Sequence, residues 1–179
     1  MDARYHFVST YRVVGDPMRV WEVLRDVEGW VQWWRGLERV ELLRAPAGAA
    51  DVGAAHRYTV RAPFGYRFTY ETEITAIEPM RFVEAVASGE LVGRGRAAVE
   101  PFQDDRLTIW FAWLVETPKP WMRALSPLAR PVFTWNHHRM MDAFGAGFAG
   151  AADVRLVSAE HVALAPGDPG FWVLPEPGR

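Results

Sequence analysis

Residues 66–77 read YRFTYETEITAI, and the alternation in this stretch decides the fold class. Tyr66, Phe68, Tyr70, Thr72 and Ile74 interleave with Arg67, Thr69, Glu71, Glu73 and Thr75. A period of two is that of a β-strand with one buried and one wet face. Backwards along the chain, 55–62 alternates likewise, with Tyr58 and Val60 against Arg57 and Arg61, and Pro63 and Gly65 mark the turn between. Forwards, Glu78-Pro79 closes the strand, and strands at 81–88 and 91–100 flank a turn at Ser88-Gly89-Glu90. Segment 106–116 is apolar on both faces, because Leu107, Ile109, Phe111 and Trp113 interleave with Trp110, Ala112 and Leu114. Its second face therefore needs a cover, either a partner subunit (a homodimer) or the tail segment 171–174.

The flanks are different. Tyr5 to Val14 is rich in β-branched and aromatic residues and reads as a strand. Asp16-Pro17 is an N-cap followed by proline at the first helical position, and Val20, Trp21, Leu24 and Val27 recur at helical spacing over 17–27. Gly29 ends that helix, and Trp30 to Leu37 reads as a second short one. After Pro118 and Pro120 comes a long helical region, irregular through Pro127 and Pro131, then regular from Val132 to about Phe148. Its apolar stripe is Phe133, His137, Met140, Met141, Phe144 and Phe148. One strand, two helices, about six consecutive strands and a long helix make an α+β fold. At 179 residues the chain suits a single domain, 1–150, with 151–179 as an extension whose Pro- and Gly-rich part, 165–179, is expected to be partly disordered.

Composition narrows the function. The net charge of −2 offers no field for nucleic acid. With no cysteine there are no disulfides, thiolate metal sites or Cys nucleophiles, and Met1 to Phe7 does not read as a secretory signal, so a reducing cytoplasm is expected. No apolar run is long enough for a spanning helix. Four basic residues and no acidic one between Pro118 and Met141 read as a solvated helix edge rather than a membrane patch, so no stable membrane insertion is expected. Nine Trp, ten Phe and five Tyr suit the walls of a small-molecule pocket.

Two motifs carry a resemblance: Asp16-Pro17 and Val20-Trp21 leading to Asp26, Trp30 and Trp33-Trp34, and Trp135-Asn136-His137-His138 with Met140 inside the last helix. With the strand order they resemble, over roughly 5–150, the polyketide cyclase/dehydrase and lipid-transport group of the START and Bet v 1-like (SRPBCC) superfamily. That resemblance implies a helix-grip architecture: six or seven antiparallel strands curved around the C-terminal helix, enclosing an apolar cavity. It implies binding of a lipid, polyketide or aromatic metabolite. The alternatives are a cyclase or dehydratase, and a structural or regulatory partner with a vestigial cavity. No cofactor is implied.

Tyr58, Phe68, Tyr70, Phe111 and Trp113 are the expected cavity wall, against the plainer reading of solid core. Glu84 shares parity with Phe82 and Val86; on a concave face, with Arg94 opposite, it is a candidate carboxylate in an apolar setting, and otherwise an exposed cross-strand pair. His137 and His138 point about 100° apart on a helix, so they cannot chelate one metal, and no metal site is expected. His138 sits one turn before Asp142 and reads as its surface partner. His137, with Asn136 beside it, is either a polar contact at the cavity wall or a core histidine bonded to a carbonyl or tyrosine. Gly145-Ala-Gly147-Phe-Ala-Gly150 spells a nucleotide fingerprint but closes a helix instead of opening one, so close packing and helix termination explain it better.

Overall fold

The structure, a computed structural model, describes residues 4–46, 51–62, 65–101, 105–118 and 120–164, with no side chains described from 120 to 129. Strand outweighs helix. The elements are β1 (Arg4–Val14), α1 (Pro17–Arg25), a 3₁₀ turn (Gly29–Gln32), β2 (Leu37–Arg44), β3 (Ala55–Arg61), β4 (Arg67–Glu78), β5 (Phe82–Gly89), β6 (Val92–Pro101), β7 (Arg106–Glu116), α2 (Pro120–Ala152) and β8 (Arg155–Leu164). They form one sheet in the order β2-β3-β4-β5-β6-β7-β1-β8, and each neighbouring pair is antiparallel. This is the helix-grip architecture, with α2 against the concave face.

Local chemistry sets the entry to the first helix. The Asp16 carboxylate accepts a hydrogen bond from the Met18 amide at 2.9 Å, and Pro17 sits at the first helical position. The second short helix is only the 3₁₀ turn, held by the Trp33 and Trp34 amides donating to the Trp30 carbonyl. Helix α2 runs unbroken through Pro127 and Pro131, where irregularity was expected. Two of its glycines, Gly145 and Gly147, serve packing. A Cβ on Gly145 would lie 2.6 Å from the Tyr11 ring, and one on Gly147 would lie 2.2 Å from the Trp33 carbonyl. Termination falls later, at Asp153, which takes a left-handed conformation (φ 53°) as the Val154 amide donates back to Ala149.

Among the described residues the sheet has eight strands rather than six or seven. The added strand, β8, pairs with β1 from His6↔Leu164 to Val14↔Arg155, so the sheet continues past residue 150 to Leu164. Alternation is weak in 155–164, where half-buried and exposed residues mix, because an edge strand buries little on either face. The tail 165–179 lies outside the described residues, as does the cover proposed for it at 171–174. On the convex face of β7, Trp110 is buried with Ala98 and Ala112, packed by Val8 and Phe82. The Arg96 guanidinium lies 5.8 Å from its ring, so the chain covers part of that face itself.

Candidate functional site

The concave face divides into a solid part and an open part. Tyr11, Val13, Leu107, Ile109, Met141, Phe144 and Phe148 form one buried cluster with α1. Toward β3 and β4 the core thins to Leu37, Tyr58, Val60 and Tyr70. There the space under α2 opens into two lobes, of about 250 and 350 Å³. They share Phe7, Trp34, Tyr70, Trp113, His137 and Met141 as a common wall, which we term the waist. Two side-chain donors fix α2 above it. Tyr11 Oη donates to the Met141 carbonyl at 2.7 Å, and Trp34 Nε1 donates to the Met140 carbonyl at 2.8 Å. Gly95 leaves room for the waist, since a Cβ there would sit 2.5 Å from the Trp113 ring.

Most of the expected wall meets here. Phe68 and Asn136 line the smaller lobe, Tyr58 and Phe111 the larger, and Tyr70, Trp113 and His137 both. The Tyr58 and Tyr70 rings stack at 5.2 Å, and burial pushes the Tyr58 hydroxyl up to about 12, so both phenols stay neutral. His137 stacks on Phe7 at 4.0 Å, with ring planes 12° apart. Its imidazole makes no hydrogen bond to any described residue, although a core histidine would be expected to find a carbonyl or tyrosine. Burial, then the nearby His138 and His161, pull it down to about 3, so it is neutral at physiological pH.

Three expectations fail. Glu84 and Arg94 line neither lobe. The register pairs Glu84 with Arg96 and Arg94 with Val86, and the inward row of β5 is Val83 and Ala85, so Glu84 takes the convex face. There its Oε1 lies 3.0 Å from Arg96 Nη1. His138 is not the partner of Asp142. The strand missed in the sequence, β8, brings His161 to that side of α2, and His161 Nε2 takes Asp142 Oδ1 at 3.1 Å while its Nδ1 meets Ser9 Oγ at 2.9 Å. Sequence reasoning also missed Phe7, Trp34 and His56 in the lining. Phe7 shares parity with Tyr5 and Tyr11, and His56 with Tyr58 and Val60, so the alternation already contained both.

No helix among the described residues is long and apolar enough to cross a membrane. No curated protein matches the chain. Among solved structures, the Zhui aromatase/cyclase of Streptomyces sp. R1128 is similar over 84% of this chain and 94% of its own, with a TM-score of 0.70 and 20% identity. A START superfamily protein of Mycobacterium smegmatis covers 83% and 97%, with a TM-score of 0.65 and 14% identity. The di-domain ARO/CYC StfQ of the steffimycin pathway covers 84% of this chain and 52% of its own, at 0.60 and 13%. At such identities the likeness concerns the fold. The family described as polyketide cyclase / dehydrase and lipid transport matches residues 15–145, more than half of the chain, and the chain belongs to that family.

Proposed function

We propose that the chain binds an apolar small molecule, of lipid, polyketide or aromatic-metabolite type, across the waist of its two-lobed cavity. One observation carries this reading: the His137 imidazole faces an aromatic-walled space and has no hydrogen-bond partner among the described residues. A neutral imidazole donates through one nitrogen and accepts through the other, so it suits a hydroxyl or carbonyl on an otherwise apolar ligand. The larger lobe, about 350 Å³, falls at the lower end of the range for small-molecule sites, and the smaller one extends it.

The cyclase or dehydratase alternative draws support from the family, but less from Glu84 or His137 as its acid or base. Glu84 with Arg96 faces away from the cavity, and a His137 that binds a proton only near pH 3 is a poor proton donor at neutral pH. The vestigial-cavity alternative is disfavoured because both lobes are open space.

Native mass spectrometry of the purified chain, with pyrene titrated by quenching of tryptophan fluorescence, tests the reading. A co-purified apolar molecule, or saturable pyrene quenching, is expected. His137→Ala should weaken binding of a carbonyl- or hydroxyl-bearing probe about tenfold while leaving the thermal melt nearly unchanged. An unfolded His137→Ala protein would instead make His137 a core histidine.

A further inference from the structure

We propose that the larger lobe holds a second polar subsite, built on His56, which accepts an uncharged hydroxyl and makes the cavity select neutral hydroxylated aromatic molecules over carboxylates. The inference rests on the cavity being a binding site.

His56 lies on β3 between Leu42 of β2 and Thr72 of β4, in the inward row that also holds Tyr58 and Val60. It is 8% exposed, lines the larger lobe, and its ring stands 6.4 Å from that of Tyr58. Its imidazole makes no hydrogen bond to any described residue. A buried polar group left in this way, beside open space, fits a ligand that supplies the missing partner. Burial lowers its pKa and the Glu28 carboxylate opposes that fall, so the ring is held mainly neutral, able both to donate and to accept. A hydroxyl does the same, and the two match.

The charges around the lobe argue against an acid head. Asp26, Glu28 and Asp51 all line it. Of the two arginines in its described lining, Arg25 donates through Nε and Nη2 to Asp51. Arg96 turns its guanidinium to the convex face, where Glu84 pairs with Nη1 and the Phe82 ring lies 4.4 Å away, its buried Nε left without a hydrogen-bond partner among the described residues. The smaller lobe offers no Lys or Arg among its described lining, and its one carboxylate is Glu90. A carboxylate buried in either lobe would therefore find no Lys or Arg among the described lining that lacks an acidic partner of its own, which is costly in apolar surroundings. Asp26 already accepts from the Gly29 amide and Asp51 from Arg25, so of these three carboxylates Glu28 is the one left to hold an ammonium group, the case that the ammonium probe tests.

Four probes of one shape separate these cases at neutral pH: pyrene, 1-hydroxypyrene, pyrene-1-carboxylate and 1-pyrenemethylammonium. Each is titrated by tryptophan quenching into wild type, His56→Leu, His56→Gln and His137→Ala. Hydroxypyrene should bind about tenfold more tightly than pyrene, and the carboxylate about tenfold or more weakly. His56→Leu should erase the hydroxyl preference while pyrene affinity holds, and His56→Gln, which keeps a donor and an acceptor, should retain part of it. A hydroxyl preference that survives His56→Leu and vanishes in His137→Ala places the contact at the waist and overturns the subsite. So does pyrene binding with no hydroxyl preference, or with the ammonium or carboxylate probe preferred. If none of the four binds, the cavity reading falls together with this one.

Discussion

The two halves of α2 carry one apolar stripe but meet different surroundings. In the C-terminal half, Phe144 borders the larger lobe yet is fully buried, with the rings of Phe111, Trp34, Trp33, Tyr11 and Phe148 at 4.8 to 5.6 Å. In the N-terminal half, Phe133 touches Tyr5 edge-on at 5.6 Å, His137 stacks on Phe7, and beyond them lies the smaller lobe. The helix pattern is the same in both halves. What differs is whether the opposing surface reaches it: Tyr11, Ile109 and Phe111 of β1 and β7 do, whereas β3 and β4 leave a gap. A stripe thus tells which face turns inward, and not whether it meets solid core or space.

The sharpest way to break this comparison is truncation in each half. Phe144→Ala should cost about 3–5 kcal/mol, as expected for a large ring removed from a packed cluster. Phe133→Ala should cost only about 1 kcal/mol, because its far side already lacks neighbours. Urea denaturation of both variants measures the difference, and equal losses would mean that the N-terminal half is packed as well.

Close approach is the next mark of the packed half. Gly147→Ala sets a methyl 2.2 Å from the Trp33 carbonyl, a backbone atom, and should cost about 1–3 kcal/mol. Gly150→Ala, three residues on in the same helix with nothing within 4 Å, should be neutral or stabilise by up to about 1 kcal/mol. Thermal melts of the two variants give the comparison. A tolerated Gly147→Ala would mean that α2 can ride away from the 3₁₀ turn at no cost.

This division explains what could be read in the sequence. Strand alternation from 55 to 77, the Asp16-Pro17 start and the stripe on α2 are local patterns, and each appears in the fold. Tyr58, Phe68, Tyr70, Phe111 and Trp113 reach the cavity because parity along one strand sets their side. Glu84 failed because which parity of β5 turns inward depends on pairing with its neighbours, and its partner β4 shifts register between Ile74 and Ala76, opposite Ala85 and Glu84. His138 failed because its environment is made by β8, a strand with little periodic signal of its own.

Acid sharpens the contrast further. The unfolded His137 imidazole titrates near 6.5, whereas in the fold burial holds it at about 3. Between these values the unfolded chain binds a proton that the folded chain does not. The folded-state pKa is depressed, so stability is fully present above pH 6.5 and is lost as the pH falls below it, by at most about 1.4 kcal/mol per unit from this group. His137→Gln should remove that part of the slope between pH 6.5 and 4, measured by urea denaturation at several pH values. Burial lowers His56 and His138 in the same direction, so the variant keeps a residual slope. A variant whose slope equals that of wild type would place His137 in contact with water.

The smallest effect is expected one residue along. His138 stands about 100° around the helix from His137, toward β8. Its ring meets Phe7 edge-on at 6.5 Å and His161 at 5.7 Å, and it lines neither lobe. Its Nε2 is buried without a hydrogen-bond partner among the described residues. His138→Ala therefore removes ring packing, which destabilises, and an unsatisfied nitrogen, which stabilises, and these terms oppose each other. Asp142 keeps its bond to His161, so the loss does not spread along the seam between α2 and β8. The net change should stay within about 1 kcal/mol, and pyrene affinity within about twofold. A thermal melt and a quenching titration suffice to check it. A tenfold loss of pyrene affinity would show that the cavity reaches around α2 toward β8, and the line drawn between its open and packed surroundings would then be in the wrong place.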